Sequence, residues 1–345
     1  MYYIFTTAIF IVFSVFTLQY TIKNRKEKLE KNLLSSEIII SMLFLLAGIL
    51  FPFMIQSHSS ELSQNTLNFL WLLTALILII ELLVWIAVIM YNAVISKKDA
   101  QIMAERNYVD FCKDIEENRV YDLKSDITRK LLHLFTVFVI FFFWFLGAIL
   151  DNLGCLDEFG GLDRYSFAYW LIITVGFAFV IMFQIADLAR LNAFYTLPKW
   201  AKNWYCKSMK DNEMDTFVAS TPMVLSFVPF IFLPFPLFAT IALITTGADG
   251  AAAIVGMKFG KHKFNDNSDK TIEGYIAGGF STFIIVIVMY LLFQNTLDYD
   301  FLKAIIMAII ATIIFLTVDA FTRNMCDNML NPLLIGIGLS IIYLL

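Results

Sequence analysis

The feature of this sequence that most favours chemistry is an aspartate inside an apolar stretch. Asp249 lies between Gly247 and Gly250 in the run 236–256, where most other residues are apolar or small. Such a buried carboxylate must be compensated by a metal ion, a proton or a basic residue from elsewhere in the chain. The small residues beside it allow another group to approach the backbone closely. Asp249 is therefore predicted to be a catalytic or metal-binding residue.

A basic segment follows Asp249 and leads into the next apolar run. Lys270 and Glu273 open that run, and the backbone amides at a helix N-terminus favour phosphate binding. Lys270 is therefore predicted to hold a phosphate, and Glu273 to cap the helix or bind a metal. The segment is not a P-loop, because Val255 and His262 stand where glycine and Ser or Thr are needed. Its other lysines, including Lys261, fit a solvated cytosolic loop equally well.

A third cluster precedes the apolar run 131–150. Arg129 and His133 are four residues apart and share a helix face, and Lys130 adjoins Arg129. His133 lies about one turn inside the run, and polar groups at this depth usually face a partner or a cavity. We expect His133 to act in a site or to organise one. Lys130 also fits ordinary anchoring of a membrane helix.

Two further carboxylates lie at the ends of apolar runs. Asp187 and Arg190 are three residues apart, so they either pair along one helix face or contribute to a metal or phosphate site. Asp327 and Asn328 precede the last run. They either bind Mg²⁺ or a sugar hydroxyl, or they cap the helix that follows.

The elements that must position these residues are membrane helices. Of the 345 residues, 59% are hydrophobic and 16% are charged, whereas a soluble domain is about 45–50% apolar and about 25% charged. Runs of about 20 apolar residues are long enough to cross a hydrocarbon core of ~30 Å. The four cysteines have no metal-site or disulfide spacing, and no strong basic balance suggests nucleic acid.

The apolar runs predict an all-α bundle of about ten transmembrane helices. They fall at 2–22, 37–56, 67–96, 131–150, 166–186, 216–233, 236–256, 274–294, 301–318 and 331–345. Prolines from Pro229 to Pro236 separate the sixth run from the seventh, although one long kinked helix is the alternative there. Polar segments at 97–127 and 190–213 are predicted to form cytosolic helices and an interfacial helix or packed loop.

Charge placement predicts which loops face the cytosol. With ten spans, all 25 Lys and Arg residues except Arg164 and Lys303 fall on one side, and that side is the cytosol. Both termini are then non-cytosolic. All the polar clusters described above lie at the cytosolic ends of helices. A single span over 216–256 would invert this pattern.

Carboxylates and phosphate-binding cations at one membrane face favour phosphoryl transfer. Mg²⁺ prefers one or two carboxylates plus phosphate oxygens, and phosphoryl transfer needs mainly positioning and charge neutralisation. A water-soluble phosphate donor in the cytosol and a lipid acceptor from the bilayer fit this arrangement.

Five sequence elements resemble, in this order, motifs of one enzyme family. They are Arg129-Lys130-Leu-Leu-His133 (RKxxH), Asp187-Leu-Ala-Arg190 ((D/E)xxR), Asp249 to Gly256 and Gly260-Lys261 (DxxAxxxGxxxGK), Lys270-Thr-Ile-Glu273-Gly274 (KSxEG) and Asp327-Asn328 to Pro332 (DNxxxP). They look like those of the polyprenol kinase family: dolichol kinase, phytol kinase and CTP-dependent diacylglycerol kinase. Asp319 would sit at the acidic position before the last motif. Gly250 departs from the Ala, Ser or Thr more usual there, which affects the expected local geometry.

The resemblance implies CTP as phosphate donor, Mg²⁺ or another divalent cation, and a lipid alcohol as acceptor. It implies Asp249, Lys270 and His133 as catalytic residues, and metal ligands among Asp249, Asp187, Glu273 and Asp327. The donor nucleotide would be held by Arg129, Lys130, Arg190, Gly250, Lys261 and Lys270. The division of roles among the carboxylates, and CTP rather than ATP, do not follow from the residues alone.

The resemblance covers about 126–345, which is expected to be the catalytic membrane domain, with 1–125 as an accessory membrane region. The expected location is the endoplasmic reticulum or a prokaryotic plasma membrane. Two alternatives remain. A CDP-lipid-forming cytidylyltransferase would share CTP and metal, but its KDxG and HGGxxDRxD motifs are absent. An ion-coupled transporter would use Asp249 and Glu81.

Overall fold

The computed structural model describes residues 2–59, 61–118, 123–156, 158–209, 213–263, 270–321 and 327–345. These residues form helices, turns and loops but no strand, and one isolated β-bridge joins Lys263 to Thr271. Their α-helices are α1 Tyr3–Lys23, α2 Arg25–Glu30, α3 Leu34–Met54, α4 Gln64–Lys98, α5 Ala100–Glu105, α6 Tyr108–Asn118, α7 Leu123–Asn152, α8 Arg164–Ala193, α9 Lys199–Ser208, α10 Ser220–Phe227, α11 Phe235–Leu243, α12 Asp249–Phe259, α13 Ile272–Phe293, α14 Phe301–Phe321 and α15 Asp327–Leu344.

Nine helices in the described part of the chain are long and apolar enough to cross a membrane. The prediction of an all-α, multi-pass membrane bundle is therefore confirmed. α11 and α12 form one of these spans, because a π-helical turn joins them into a continuous helix from Phe235 to Phe259. Which side of the membrane each loop and terminus faces stays a prediction.

The predicted span 216–233 is shorter than expected. It forms a helix over Ser220–Phe230, which is about 16 Å long and so reaches across only about half of the hydrocarbon core. The predicted break at the prolines is confirmed, since Pro234 immediately precedes α11. All residues of the short helix except Pro229 are buried. Burial in protein is what a partial span requires, because its backbone ends cannot be hydrogen-bonded by lipid.

The chain divides into two compact units. The first unit consists of 1–121 and 143–225, and the second consists of 122–142 and 226–345. The first unit thus contains residues from both sides of the division at 125 that the sequence suggested. That division concerns function, and it stays a prediction.

Within the first unit, hydroxyl groups join the apolar helices. Ser14 on α1 donates to the Ser41 carbonyl on α3 at 2.8 Å, and Gln184 on α8 donates to Thr17 at 2.8 Å. Such hydrogen bonds between membrane helices are worth about 0.6–2 kcal/mol each. Helices predicted in the polar segment 97–127 are present as α5 and α6, and α9 occupies part of 190–213.

Within the second unit, small residues allow α12 and α13 to cross closely. A Cβ added to Gly274 would lie 2.6 Å from the Ala252 carbonyl oxygen and 3.0 Å from the Cα of Gly256. A Cβ on Gly278 would meet Ala252 at 3.0 Å. Two members of the small-residue track after Asp249, Ala252 and Gly256, are therefore used for packing against the next helix. Gly250 differs from them, because nothing lies within 4 Å of its Cβ position although the residue is buried.

This contrast predicts opposite effects for two glycine substitutions. Gly274→Ala should lower the free energy of unfolding by about 1–3 kcal/mol, because the new methyl group meets backbone that cannot move without the helix. Gly250→Ala, the matched control, should leave it unchanged or raise it by about 0.5–1 kcal/mol, since alanine suits a helix better than glycine. Unfolding by sodium dodecyl sulfate in mixed micelles measures both. Equal losses would contradict the close crossing.

Candidate functional site

Asp249 follows an irregularity in its helix. The π-helical turn covers Ile244–Ala248 and ends immediately before Asp249. The hydroxyls of Thr245 and Thr246 donate to the carbonyls of Ile241 and Ala242, at 2.8 and 2.9 Å. The π-helical turn changes the spacing between backbone amides and carbonyls. The two threonine hydroxyls therefore supply hydrogen bonds to carbonyls at this turn. Single π turns inside α-helices occur frequently at functional sites.

The basic residue that compensates Asp249 is Lys130, 119 positions earlier in the chain. The Lys130 ammonium group donates to Asp249 Oδ2, and the side chains are only 8% and 15% exposed. Of the three forms of compensation expected from the sequence, the structure shows a distant basic residue. The pair joins the start of α7 to α12 within the second unit. Removing either charge would leave the other buried and uncompensated.

Two further basic side chains lie beside this pair. Arg129 is buried and forms an ion pair with Asp126 at 3.3 Å. His133 is 2% exposed, and its Nδ1 has no hydrogen-bond partner among the described residues. Electrostatic interactions of His133 extend to Arg129, Lys130 and Asp249. We call Arg129, Lys130, His133 and Asp249 the Asp249 cluster.

The Asp249 cluster combines two buried ion pairs, Lys130–Asp249 and Arg129–Asp126, with adjoining space. It contains two permanent cations and one carboxylate, with Asp126 as the counter-ion of Arg129. The unfilled Cβ position of Gly250 adjoins Asp249 along the helix. A phosphate that bound here would compete with Asp249 for Lys130 or with Asp126 for Arg129. The structure thus brings together four residues that the sequence placed in one site.

Asp327 lies at the start of α15, near this cluster. It interacts electrostatically with His133, and its Oδ1 accepts a hydrogen bond from the Asn328 amide at 2.9 Å. This bond reaches only the adjacent residue, whereas a capping side chain bonds the second or third amide of a helix, so the capping alternative stays a prediction. A role of Asp327 as metal ligand stays a prediction.

Lys270 and Asp319 form a second ion pair in the same unit. Lys270 Nζ lies 2.6 Å from both Oδ1 and the backbone carbonyl of Asp319. The lysine side chain is 41% exposed, so solvent-borne groups can reach it. Thr271 caps α13 by accepting from the Gly274 amide at 3.2 Å. Lys270 is therefore fixed directly before a helix N-terminus, as the sequence predicted, with Asp319 as its counter-ion.

Glu273 pairs with His262 at the same helix start. Glu273 Oε1 lies 2.7 Å from His262 Nδ1, and Oε2 accepts from the His262 amide at 3.3 Å. The histidine is 73% exposed, so this contact lies at the surface and ties the basic segment to α13. Lys261 is exposed and follows Gly260 at the end of α12. Metal binding by Glu273 and phosphate binding by Lys261 stay predictions.

Asp187 and Arg190 belong to the first unit and are completely enclosed. Arg190 Nε donates to Asp187 Oδ1 at 3.1 Å, and both side chains are 0% exposed. Asp187 also accepts from the Tyr205 hydroxyl at 3.0 Å and from the Val218 amide at 2.8 Å. Burial and then the neighbouring Asp187 raise the pKa of Tyr205, so this hydroxyl keeps its proton and donates. The pair expected as one alternative is thus present, with most of its hydrogen-bonding capacity in use.

These buried charges hold the segment 213–219, which contains no α-helix. Arg190 donates to the carbonyls of Met214 and Thr216, and Lys28 donates to the carbonyl of Asp215. Asp187 accepts the Val218 amide at the other end. Buried backbone without secondary structure needs such partners. The function visible for Asp187 and Arg190 is therefore to satisfy the backbone that leads into α10, and a role in ligand binding stays a prediction.

Sequence reasoning missed the N-terminal members of this network. Lys28 and Glu37 form a buried ion pair at 2.7 Å, and Glu37 accepts from Thr216 at 2.9 Å. A signal was present, because Glu37 begins the apolar run 37–56 and so had to find a buried cation. Tyr108, which donates to the Met214 carbonyl, carried no such signal, since tyrosine is common at membrane interfaces.

The divalent ion that the sequence predicts stays a prediction. Among the described residues, no three His, Cys, Asp or Glu side chains form a group that could hold a metal ion. Mg²⁺ does not need such a group, because it is commonly bound by one or two carboxylates plus phosphate oxygens and water. In this mode Asp249 or Asp327 would be the protein ligand, and this role stays a prediction for both residues.

Comparison with known proteins adds no assignment. No family model, curated protein or solved structure matches this chain. The family resemblance of the motifs therefore stays a prediction, and the case for a function depends on the geometry of the site.

The network around Asp187 predicts a large loss of stability on removal of one charge. Asp187→Asn keeps the side-chain shape but leaves the Arg190 charge buried and uncompensated, so the free energy of unfolding should fall by about 3–5 kcal/mol. Asp215→Asn is the matched control, because Asp215 pairs with Lys31 at the surface, with 35% and 44% exposure, and should cost at most about 1 kcal/mol. Detergent unfolding measures both. A loss below 1 kcal/mol for Asp187→Asn would show that the pair is not needed for the fold.

Proposed function

We propose that this protein is a lipid-alcohol kinase, which transfers the terminal phosphoryl group of a nucleoside triphosphate, CTP by family resemblance, to the hydroxyl of a membrane lipid. The acceptor class is dolichol or another polyprenol, a phytol-type alcohol or diacylglycerol. The reaction would take place at the cytosolic membrane face. The observation that carries the proposal is the Asp249 cluster, in which the buried Lys130–Asp249 ion pair lies beside Arg129 and His133 within apolar helices of the second unit.

The carboxylate of the cluster would act on the attacking hydroxyl in a phosphoryl transfer, and the cations would act on the phosphate groups. The new bond forms between the alcohol oxygen and the terminal phosphorus, and the bond between that phosphorus and the leaving diphosphate breaks. Arg129 and Lys130 would neutralise the phosphate oxygens, and Lys270 would add a further cation from the start of α13. A divalent ion bound with the nucleotide would supply additional charge neutralisation.

Asp249 would accept the proton of the attacking hydroxyl. In the ligand-free arrangement Lys130 occupies one oxygen of Asp249. An incoming phosphate would compete for the Lys130 ammonium group and so release this oxygen for the alcohol. His133, with an unpartnered Nδ1, could orient the same hydroxyl. The space beside Gly250 gives the reacting groups access to Asp249.

The lipid character of the acceptor is supported by the surroundings of the cluster. Lys130 and His133 lie on α7, whose neighbouring residues Leu131, Leu134 and Phe135 are 42–59% exposed on the surface of a candidate membrane span. A lipid that lies along this helix would bring its polar end to the level of the cluster. A water-soluble acceptor would gain nothing from such a surface.

One observation favours ion-coupled transport as a second candidate. Glu81 lies in the middle of α4, and its Oε2 is buried with no hydrogen-bond partner among the described residues. Carboxyl groups at membrane depth often belong to proton or ion pathways. The kinase proposal assigns no role to this residue.

The deciding experiment supplies purified protein with labelled CTP or ATP, Mg²⁺ and a panel of dolichol, geranylgeraniol and diacylglycerol. Phospholipid and nucleoside diphosphate as products support the kinase, and the panel identifies the donor and the acceptor. Release of pyrophosphate would instead support a cytidylyltransferase. No reaction with any acceptor would favour transport, to be measured as ion flux into proteoliposomes.

The proposal predicts that Asp249→Asn lowers turnover by about 10²–10⁴-fold, the usual contribution of a general base. Asp298→Asn, which removes an exposed carboxylate of the same unit, should keep wild-type turnover and is the matched control. Midpoints of thermal unfolding in detergent separate loss of chemistry from loss of fold. Near-normal turnover in Asp249→Asn would remove Asp249 from the mechanism.

A further inference from the structure

An open cleft lies in the first unit, where the chain leaves α4 and where α8 ends. Its volume is about 560 Å³, within the range of small-molecule sites. Polar lining residues include Arg106, Asn107, Asn192 and Tyr195, and the described residues that line it include no acidic side chain. None of these residues belongs to the Asp249 cluster or to the proposed kinase site.

Arg106 is held in this cleft by neutral oxygens. Its NH1 nitrogen lies 3.0 Å from Asn92 Oδ1, 3.0 Å from Ser96 Oγ and 3.2 Å from the Tyr195 carbonyl. Asn92 and Ser96 are buried near the end of α4, so the guanidinium group is oriented from within the protein. Among the described residues, no carboxylate neutralises its charge.

The opposite edge of the Arg106 guanidinium group is unused. Nε and NH2 have no hydrogen-bond partner in the described part of the chain, whereas NH1 takes part in three contacts. The Nε and NH2 donors form a planar pair that fits two oxygens of a phosphate or carboxylate group. The side-chain amide of Asn107 also keeps its donors, since only its oxygen is occupied, by the Val109 amide at 3.0 Å.

We propose that the cleft beside Arg106 binds a phosphate-bearing anion, with the Nε and NH2 edge of Arg106 as the main donor and Asn107 beside it. The cleft is large enough to hold a phosphate together with the group that it substitutes. Two sources share this chemistry. One is the headgroup of an anionic phospholipid, and the other is a soluble phosphate compound.

The surroundings of the cleft make a lipid headgroup accessible. α4 is a candidate membrane span, and it ends at Lys97 and Lys98 immediately before the lining residues begin. Lysines at the end of a span usually lie among the lipid phosphates. The cleft is also open to solvent, so a soluble anion can reach Arg106.

The test compares wild-type protein with three variants. Arg106→Gln removes the charge and the donor pair. Ala104→Trp fills the cleft from its lining and leaves Arg106 intact, so it remains informative if Arg106→Gln fails to fold. Lys98→Gln removes an exposed cation at the end of the same helix and is the control for loss of charge.

Two probes separate the sources. Native mass spectrometry of detergent-purified protein measures retention of phosphatidylglycerol relative to phosphatidylcholine. Thermal unfolding with and without inorganic pyrophosphate measures binding of a soluble phosphate. We expect wild type to bind one of the two probes, and Lys98→Gln to bind that probe as strongly as wild type does. Arg106→Gln and Ala104→Trp should reduce that binding about tenfold or more, as loss of a charge-assisted bidentate contact does.

The outcomes are distinguishable from each other. A loss confined to phosphatidylglycerol identifies a lipid headgroup, and a loss confined to pyrophosphate identifies a soluble phosphate. The proposal is overturned if wild type binds neither probe. It is also overturned if the folded cleft variants bind as wild type does, or if Lys98→Gln loses as much binding as they do.

Discussion

A charge inside an apolar helix bundle has to be neutralised within a few ångströms, and the arrangement of this protein follows from that requirement. The carboxylates of Glu37, Asp187 and Asp249 lie on membrane-spanning helices, and each forms an ion pair with a lysine or arginine. In a medium of low dielectric constant such pairs are costly to break but add little stability over apolar packing. A buried ion pair is therefore explained by what its charged groups bind, and not by a gain in overall stability.

The buried pairs differ in what remains available to a ligand. The Asp187–Arg190 pair is surrounded by Tyr205 and the backbone of 213–219, and hydrogen bonds within the chain occupy both of its side chains. The Lys130–Asp249 pair is more open. A single contact from Lys130 compensates Asp249, the Nδ1 of His133 nearby has no partner among the described residues, and no atom fills the Cβ position of Gly250. The first arrangement is typical of a structural ion pair. The second leaves hydrogen-bonding atoms and space available to a ligand.

Much of the fold could be predicted from the sequence because membrane solvation leaves a simple signal. The apolar runs located the nine candidate spans of the described residues, and the prolines located the break before α11. The sequence could not show that the helix at Ser220–Phe230 is a partial span, since apolar residues suit a protein interior as well as lipid. Nor could it show the π-helical turn before Asp249, because the turn depends on tertiary packing around Thr245 and Thr246.

Residue types in the sequence were enough to select the candidate site residues but not to identify their ion-pair partners. Arg129, Lys130, His133 and Asp249 could be grouped because each stands out in an apolar context. The pairing of Lys130 with Asp249, and of Lys270 with Asp319, could not be read from spacing, because long-range contacts connect separate helices. The part played by Lys28 and Glu37 was hidden for the same reason.

The short helix Ser220–Phe230 has a consequence for how the protein is made. A segment of this length gains too little from transfer into lipid to be integrated as a span by itself during synthesis. It would have to enter the bilayer together with the following helix, as a hairpin bent at Pro234. The preceding residues 213–219 gain their hydrogen bonds from α2, α6 and α8 only after those helices have assembled. The final topology of this region would therefore be fixed by tertiary assembly, after membrane insertion and not during it.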